Sequence, residues 1–171
     1  MSREALSMSD KKYDEISHLV HKTYPNSCIL FIDKIYNYEL EQKYFAVKKK
    51  IEEKRGHVTE LEAFHGTHAQ LIDIIIEEGF DPSKNLHAAY GPGTYFARDA
   101  IYSFSYMKSN DVAGISYMFL CDIAIGKIKT YNNDYDNTAN AHDVNQATIY
   151  VCPMRDQCIP RYVIAFHKNA K

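Results

Sequence analysis

The sequence lacks several features that would assign it to a common class of protein. No two cysteines are spaced as Cys-x-x-Cys and no histidine spacing completes a zinc pattern, which excludes the usual zinc modules. No apolar run approaches the roughly 20 residues of a membrane-spanning helix, and the acidic start of the chain does not resemble a signal peptide. Tryptophan is absent, and the net charge of -2 provides no positive field for nucleic acid. We therefore expect no metal and no membrane partner, and a nucleic-acid partner is disfavoured.

The composition that is present is ordinary for a soluble globular protein. A chain of 171 residues suits one domain with a sizeable core, and 46% of its residues are hydrophobic. The 14 tyrosines are expected mainly in the core and in half-buried strands. Free thiols are expected at Cys28, Cys121, Cys152 and Cys158, which favours an intracellular location, cytoplasmic or nuclear.

The order of the predicted elements favours an α+β fold. Helices come early and strands come late, which argues against a doubly wound parallel sheet. Residues 1–9 are expected to be a disordered tail before a single domain over residues 10–171. Asn37 is predicted to cap a helix that Gly56 ends. The other predictions are helices over 10–24, 69–78 and 99–108, a turn at 109–111, loops at 80–92 and 131–146, and strands over 28–32, 60–65, 94–97, 117–126, 149–152 and 162–166.

Hydrophobic spacing also predicts which side of the helix over 69–78 is buried. Leu71, Ile74 and Ile75 are expected to point inward, and Gly79 is expected to end the helix. Lys48, Lys49 and Lys50 are interpreted as part of a solvated helix face rather than as a binding patch.

Three short segments indicate a chemical function only when they are taken together. They are Phe64-His65-Gly66-Thr67, then Tyr90-Gly91-Pro92-Gly93-Thr94-Tyr95-Phe96-Ala97, then a helix with Tyr102, Ser103 and Tyr106. Taken alone, each has a structural explanation: a histidine in a strand, a tight turn, and an aromatic packing helix. The two glycines of the second segment are not a dinucleotide-binding fingerprint, because a third glycine is missing and a strand follows them.

In this order, the three segments resemble the NAD-binding core of the poly(ADP-ribose) polymerase-like ADP-ribosyltransferases, which are of the diphtheria-toxin type. The resemblance runs from about residue 13 to residue 168 and looks closest to the small mono-ADP-ribosylating branch. It implies packed antiparallel sheets flanked by helices, with NAD as co-substrate in a cleft between them. It further implies a monomer that acts on a protein acceptor.

The resemblance also implies a role for individual residues. The Gly66 backbone and the Ser103 hydroxyl would hold the carboxamide of nicotinamide, Tyr106 would stack on its ring, and Tyr95 would close the pocket. His65 would position ribose hydroxyls as a neutral imidazole. The loop 80–92 would lie over the cleft. The full set of implied NAD-binding residues is His65, Gly66, Thr67, Tyr90, Tyr95, Phe96, Ala97, Ser103 and Tyr106.

One position departs from the pattern of the polymer-forming members. Counted back from Gln157, Ile149 stands where they carry a glutamate that activates the attacking hydroxyl and stabilises the ribosyl cation. No glutamate follows Glu78, so a shift in alignment cannot supply one. The implied catalytic set is therefore His65, Tyr95 and Ile149. We expect transfer of a single ADP-ribose to a protein side chain, with the acceptor bringing its own carboxylate.

Two other functions stay open at this point. The chain could be a binding module that has kept the fold without activity, although the retained His65, Tyr95, Ser103 and Tyr106 favour activity. It could also modify the ends of nucleic acids, against which the acidic pI of about 6.4 and the lack of a basic stripe argue.

Overall fold

The computed structural model describes residues 1–107 and 114–167. These residues fold around an eight-stranded sheet. The strands are β1 (Ser2–Ala5), β2 (Cys28–Tyr36), β3 (Thr59–Gly66), β4 (Thr94–Ala97), β5 (Ile115–Ile125), β6 (Thr138–Ala139), β7 (Ile149–Cys152) and β8 (Cys158–His167). The helices are α1 (Lys11–Thr23), α2 (Tyr38–Arg55), α3 (Ile72–Glu78) and α4 (Ala100–Phe104), with 3-10 turns at Ala69–Leu71 and Pro82–Lys84. None of the helices in these ranges is long and apolar enough to cross a membrane.

The strands are ordered β1-β2-β8-β5-β3-β4-β7-β6, and each named neighbour pair is antiparallel. The predicted α+β class, an antiparallel sheet with flanking helices, is confirmed. The strands form one hydrogen-bonded sheet, although we expected separate packed sheets. Within the described residues, β3 and β4 are joined by one register pair, Phe64 opposite Ala97. The sheet is therefore nearly divided at this point.

The central strand β5 connects the two sides of the core. Its side chains alternate across the sheet, as the period of a strand requires. Met118 packs in the cluster that contains Ile16 and Val20 of α1, whereas Phe119 packs with Ile72 of α3. Both faces of β5 are therefore covered, and the helices lie on opposite sides of the sheet.

The first residues do not form the disordered tail that we expected. β1 pairs with β2 from Ser2 opposite Tyr36 to Ala5 opposite Asp33. The Leu6 N–H then donates to a carbonyl of β2 at 2.9 Å. All of the β1 side chains are exposed, so the sequence has no alternation of apolar and polar residues that would predict the strand. Backbone hydrogen bonds at the sheet edge hold it.

The predicted ends of α2 are confirmed. The Asn37 side-chain oxygen accepts from the Leu40 N–H at 3.2 Å, and Gly56 ends the helix with φ of 80°. The Asn37 amide nitrogen also donates to the carbonyls of Ile76 and Glu77, at 2.9 and 3.1 Å. One side chain thus caps the start of α2 and satisfies the end of α3.

The buried face of α3 differs from the prediction. Ile75 is buried as expected, but Leu71 and Ile74 are 41% and 50% exposed, while Ile72 and Ile76 are buried instead. The run Leu71-Ile72-Asp73-Ile74-Ile75-Ile76 contains two apolar sets at helical spacing, so the pattern alone does not decide which set is buried. Leu71 and Ile74 line the cavity described below.

Two loops also differ from the prediction. The segment 131–146 contains the short strand β6, and the segment 80–92 contains the 3-10 turn Pro82–Lys84. The helix predicted over 99–108 is shorter, because α4 ends at Phe104. The predicted helix end at Lys108 and the predicted turn at 109–111 lie outside the described residues.

Candidate active site

A cavity of about 800 Å³ opens beside the junction of β3 and β4, below the segment that follows α3. This volume is in the range of pockets that bind small molecules and cofactors. The residues that the sequence suggested for NAD binding all line this cavity: His65, Gly66, Thr67, Tyr90, Tyr95, Phe96, Ala97, Ser103 and Tyr106. The structure therefore brings three distant sequence segments to one site, while their binding roles stay predictions.

Gly66 lets α4 approach the end of β3 closely. A Cβ atom at Gly66 would lie 1.9 Å from the backbone oxygen of Ser103. Any larger residue would therefore push α4 away. Ser103 itself is 3% exposed, so its position in the cavity wall is fixed by the surrounding packing.

His65 is held in one orientation and one protonation state. Its Nδ1 lies 2.8 Å from the Tyr95 carbonyl oxygen, so Nδ1 carries the proton and donates. The ring packs edge-on against Phe80, with centroids 4.9 Å apart. Burial lowers the pKa of His65, and the hydrogen bond to Tyr95 opposes that shift in part. The imidazole is therefore neutral near pH 7, which leaves Nε2 as a hydrogen-bond acceptor.

Tyr95 connects His65 to the loop on the other side of the cavity. Its hydroxyl donates to the Gly91 carbonyl at 2.7 Å and accepts from the Tyr90 N–H at 2.9 Å. Burial raises the pKa of Tyr95, so the hydroxyl stays protonated and able to donate. The backbone of Tyr95 thus orients His65 while its side chain holds the loop.

Two tyrosines of the α4 segment line the cavity side by side. The rings of Tyr102 and Tyr106 are tilted by 45° with centroids 5.6 Å apart, and their hydroxyls are 3.3 Å apart. The contact between the hydroxyls and partial burial raise the pKa of Tyr102 to about 12. Tyr106 is 54% exposed, so a large part of its ring is available to a flat ligand.

Ile149 lies on the strand that pairs with β4, but it does not line the described cavity as His65 and Tyr95 do. It lies in β7 opposite Ala97, is 7% exposed, and is not among the described residues that line the cavity. Its N–H donates to the Asn140 side chain at 3.0 Å. His65 and Tyr95 are thus in direct contact, whereas a triad that includes Ile149 is not shown.

Sequence reasoning did not assign the charged residues of the cavity. Lys84 and Arg155 line it together with Glu78 and Asp81. The Ser83 hydroxyl and N–H donate to Asp81 at 2.6 and 3.0 Å, and these bonds hold the pKa of Asp81 below its usual range. Lys84 was open to assignment, because it falls in the loop predicted to cover the cleft. Arg155 gave no such signal, since the turn between β7 and β8 brings it to the cavity.

Within residues 1–107 and 114–167, no three histidine, cysteine or carboxylate side chains lie close enough together to hold an ion.

Comparison with known proteins identifies the family. Residues 10–152 match the family described as the poly(ADP-ribose) polymerase catalytic domain. The chain is 31% identical to the mouse (Mus musculus) protein mono-ADP-ribosyltransferase PARP12 over 184 residues, covering 97% of this chain and 25% of that protein. It is 30% identical to human (Homo sapiens) PARP11 over 192 residues, covering 91% of this chain and 56% of that protein. It is also 30% identical to human PARP14 over 179 residues, covering 94% of this chain and 10% of that protein.

The chain thus spans between about a tenth and just over half of the length of these relatives. Each of the three is named a protein mono-ADP-ribosyltransferase. The family match extends over most of the chain, from α1 to β7, and includes all three segments that line the cavity. The chain belongs to the poly(ADP-ribose) polymerase catalytic domain family.

Proposed function

We propose that the protein is an NAD-dependent mono-ADP-ribosyltransferase, which moves one ADP-ribose from NAD to a protein side chain and releases nicotinamide. One observation carries the proposal: the His65-Gly66 segment, the Tyr95 strand and the Ser103–Tyr106 segment line a single cavity of suitable size. Membership of the family and the names of its relatives support the same activity.

Nicotinamide fits the part of the cavity between Gly66 and Tyr106. The carboxamide would pair with the Gly66 backbone and the Ser103 hydroxyl. The exposed ring of Tyr106 offers a flat surface to a cationic aromatic ring, which binds by area and by cation–π attraction. Neutral nicotinamide loses the second attraction, which favours its departure once the glycosidic bond breaks.

The ribose hydroxyls fit the acceptor atom of His65. The Nδ1 N–H of His65 donates to the Tyr95 carbonyl, so the unprotonated Nε2 would accept a hydrogen bond from a ribose hydroxyl. This bond would orient the ribose for loss of nicotinamide without requiring any charge on the imidazole. The histidine thus acts by positioning and not by proton transfer.

The diphosphate of NAD fits the basic residues of the cavity. Lys84 and Arg155 supply two positive charges beside the loop, in a chain whose net charge is -2. Guanidinium and ammonium groups are the usual protein partners of phosphate oxygens. We propose that Lys84 and Arg155 hold the diphosphate. The Asp81 carboxylate would keep its hydrogen bonds from Ser83 and would not contact the ligand.

Transfer would stop after one unit, because Ile149 offers no carboxylate to activate an ADP-ribose hydroxyl as the next acceptor. An acidic acceptor side chain would bring its own nucleophilic oxygen instead. Glu78 lines the cavity, but it lies in α3 and not in β7, so we propose no catalytic role for it.

Incubation with labelled NAD and candidate proteins, followed by mass spectrometry, tests this function. We expect nicotinamide release and a mass increase of one ADP-ribose on protein side chains. The Glu78→Gln variant should transfer as well as the unmodified chain. Binding of a nicotinamide mimic without any transfer to protein would instead identify a silent binding module.

A further inference from the structure

Two hydroxyl groups from different strands hold the same short segment of the loop that walls the cavity. The Tyr95 hydroxyl, from β4, contacts the Tyr90 N–H and the Gly91 carbonyl. The Thr138 hydroxyl, from β6, donates to the Tyr90 carbonyl. Both polar groups of the peptide backbone at Tyr90 are therefore bonded to side chains of the sheet.

The register of the sheet explains how the two hydroxyls reach one segment. Val151 of β7 pairs with Tyr95 on one side and with Thr138 on the other. Directly paired residues of antiparallel strands project from the same face. Tyr95 and Thr138 therefore rise from one face of the sheet, separated by two strand spacings, or about 9–10 Å.

The loop lies across β7 between these two side chains. A Cβ atom at Gly93 would lie 2.6 Å from Cγ1 of Val151 and 2.8 Å from the Cys152 carbonyl, so the backbone touches the strand here. The Gly93 N–H donates to the Asn85 carbonyl at 3.0 Å. Fixing residues 90–93 therefore also fixes Asn85, which lines the cavity.

We propose that Thr138 is a positioning residue for NAD. With Tyr95 it forms a two-hydroxyl clamp that holds Tyr90 and, through it, the loop wall formed by Lys84, Asn85 and Tyr90. Thr138 is outside the described lining of the cavity, so it acts through Tyr90 and not on the ligand. The role in NAD binding rests on the function proposed above, whereas the clamp itself does not.

Thr138 is the better member of the clamp to test, because Tyr95 also orients His65. Thr138→Val keeps the size and branching of the side chain and removes the hydroxyl donor. Thr138→Ser keeps the donor and removes one methyl group, so it is the matched control. Pairing of β6 with β7 uses backbone atoms and is unchanged in either variant.

Two measurements test the proposal. Hydrogen exchange of the unliganded protein should show faster exchange at the Tyr90 and Gly91 amides in Thr138→Val and unchanged exchange in Thr138→Ser. Loss of one hydrogen bond should raise the KM for NAD in Thr138→Val by about 2- to 10-fold, with kcat changed less. Thr138→Ser should restore the KM of the unmodified protein.

The clamp is overturned if Thr138→Val leaves the exchange of these amides unchanged, or if Thr138→Ser shows the same increase. The positioning role is overturned if Thr138→Val loosens the loop but leaves the KM unchanged. If the unmodified protein neither binds nor consumes NAD, the proposed function fails, and hydrogen exchange still decides whether the clamp exists.

Discussion

At the scale of single residues, the proposed function depends on one histidine that is kept neutral. The Tyr95 carbonyl fixes the proton on Nδ1, and burial disfavours a second proton on Nε2. A positioning group of this kind needs no protonation change during the reaction. It needs only a lone pair on Nε2 and a fixed ring.

His65→Ala should reduce the use of NAD by at least about tenfold while leaving the sheet intact, because it removes the proposed ribose contact but no strand pairing. NAD turnover and a thermal melt of the same sample would measure both effects. A variant that unfolds would show that packing against Phe80 is the main role of this histidine. A variant that turns over NAD at the original rate would remove His65 from the site.

The lowered pKa of His65 predicts how NAD binding depends on pH. A group whose folded pKa lies below its usual value of 6.5 stays neutral at and above that pH. Affinity for NAD should therefore be level between about pH 6.5 and 8 and should fall only in more acidic solution. Protonation also opposes folding here, so the contribution of His65 to stability is lost as pH falls below 6.5. Measurement of NAD affinity as a function of pH tests the binding prediction. A loss of affinity with its midpoint above pH 6.5 would contradict that prediction.

The two cations of the cavity should matter for NAD and not for nicotinamide alone. Lys84→Ala and Arg155→Ala should each weaken NAD binding by about 3- to 10-fold, because each removes a proposed charged partner of the diphosphate. Lys50→Ala is the matched control, since Lys50 is an exposed lysine of α2 away from the cavity lining. Calorimetry with NAD and with a benzamide-type ligand would separate the two effects. Equal losses of affinity for NAD and for the benzamide-type ligand would show that the two cations do not contact the diphosphate.

At the scale of elements, Asn37 shows how one side chain joins two helices. Its oxygen caps α2 and its amide nitrogen satisfies two carbonyls at the end of α3. The cap was predictable from the sequence, because asparagine before a helical pattern is a common start signal. The contact with α3 was not predictable, since the two helices meet only in the folded sheet.

Asn37→Ala should lower the free energy of unfolding by about 1–3 kcal/mol, because it loses the cap and leaves carbonyls of α3 without their donor. Asn37→Ser keeps an oxygen that can cap the helix and loses the amide donor without adding a charge, so its loss should be smaller. Urea unfolding of the two variants measures the difference. If the two variants were equally destabilised, the cap would contribute nothing.

The bounds of α2, β4 and β7 followed the sequence closely, whereas β2, β8 and α4 end or begin several residues from the predicted positions. Buried faces and the sheet edge were predicted less well. The strand β4 and both ends of α2 were predicted because turn and capping residues mark them. The buried face of α3 was predicted wrongly, because Ile72 and Ile76 fit the helical spacing as well as Leu71 and Ile74, which face a cavity. The edge strand β1 gave no pattern, since backbone pairing alone holds it.

At the scale of the whole molecule, the cavity lies where the sheet is nearly divided. β3 and β4 are joined at Phe64 and Ala97 among the described residues. Residues beyond this pair on both strands line the cavity together with the loop 80–92 and α4. The sequence could predict which residues meet there only through resemblance to a family. Arg155 and Thr138 escaped that prediction, because a turn and the strand register bring them near the site and no motif marks them. Lys84 could have been assigned, since it lies in the loop expected over the cleft.

A nicotinamide mimic tests whether this cavity is open to ligand. A benzamide-type compound should raise the melting temperature, as any ligand of the native state does. Tyr106→Ala should lower the affinity by about tenfold, since it removes the stacking surface. The absence of any shift at millimolar concentration would indicate a closed cavity.

The length of the product tests whether the protein transfers only one ADP-ribose to each acceptor side chain. The unmodified chain, incubated with labelled NAD and an accepted protein, should yield discrete gel bands that a polymer-cleaving glycohydrolase leaves unchanged. Those bands would correspond to single ADP-ribose units, because Ile149 provides no carboxylate for elongation. A ladder or smear that the glycohydrolase collapses would contradict both the role given to Ile149 and the alignment that placed it there.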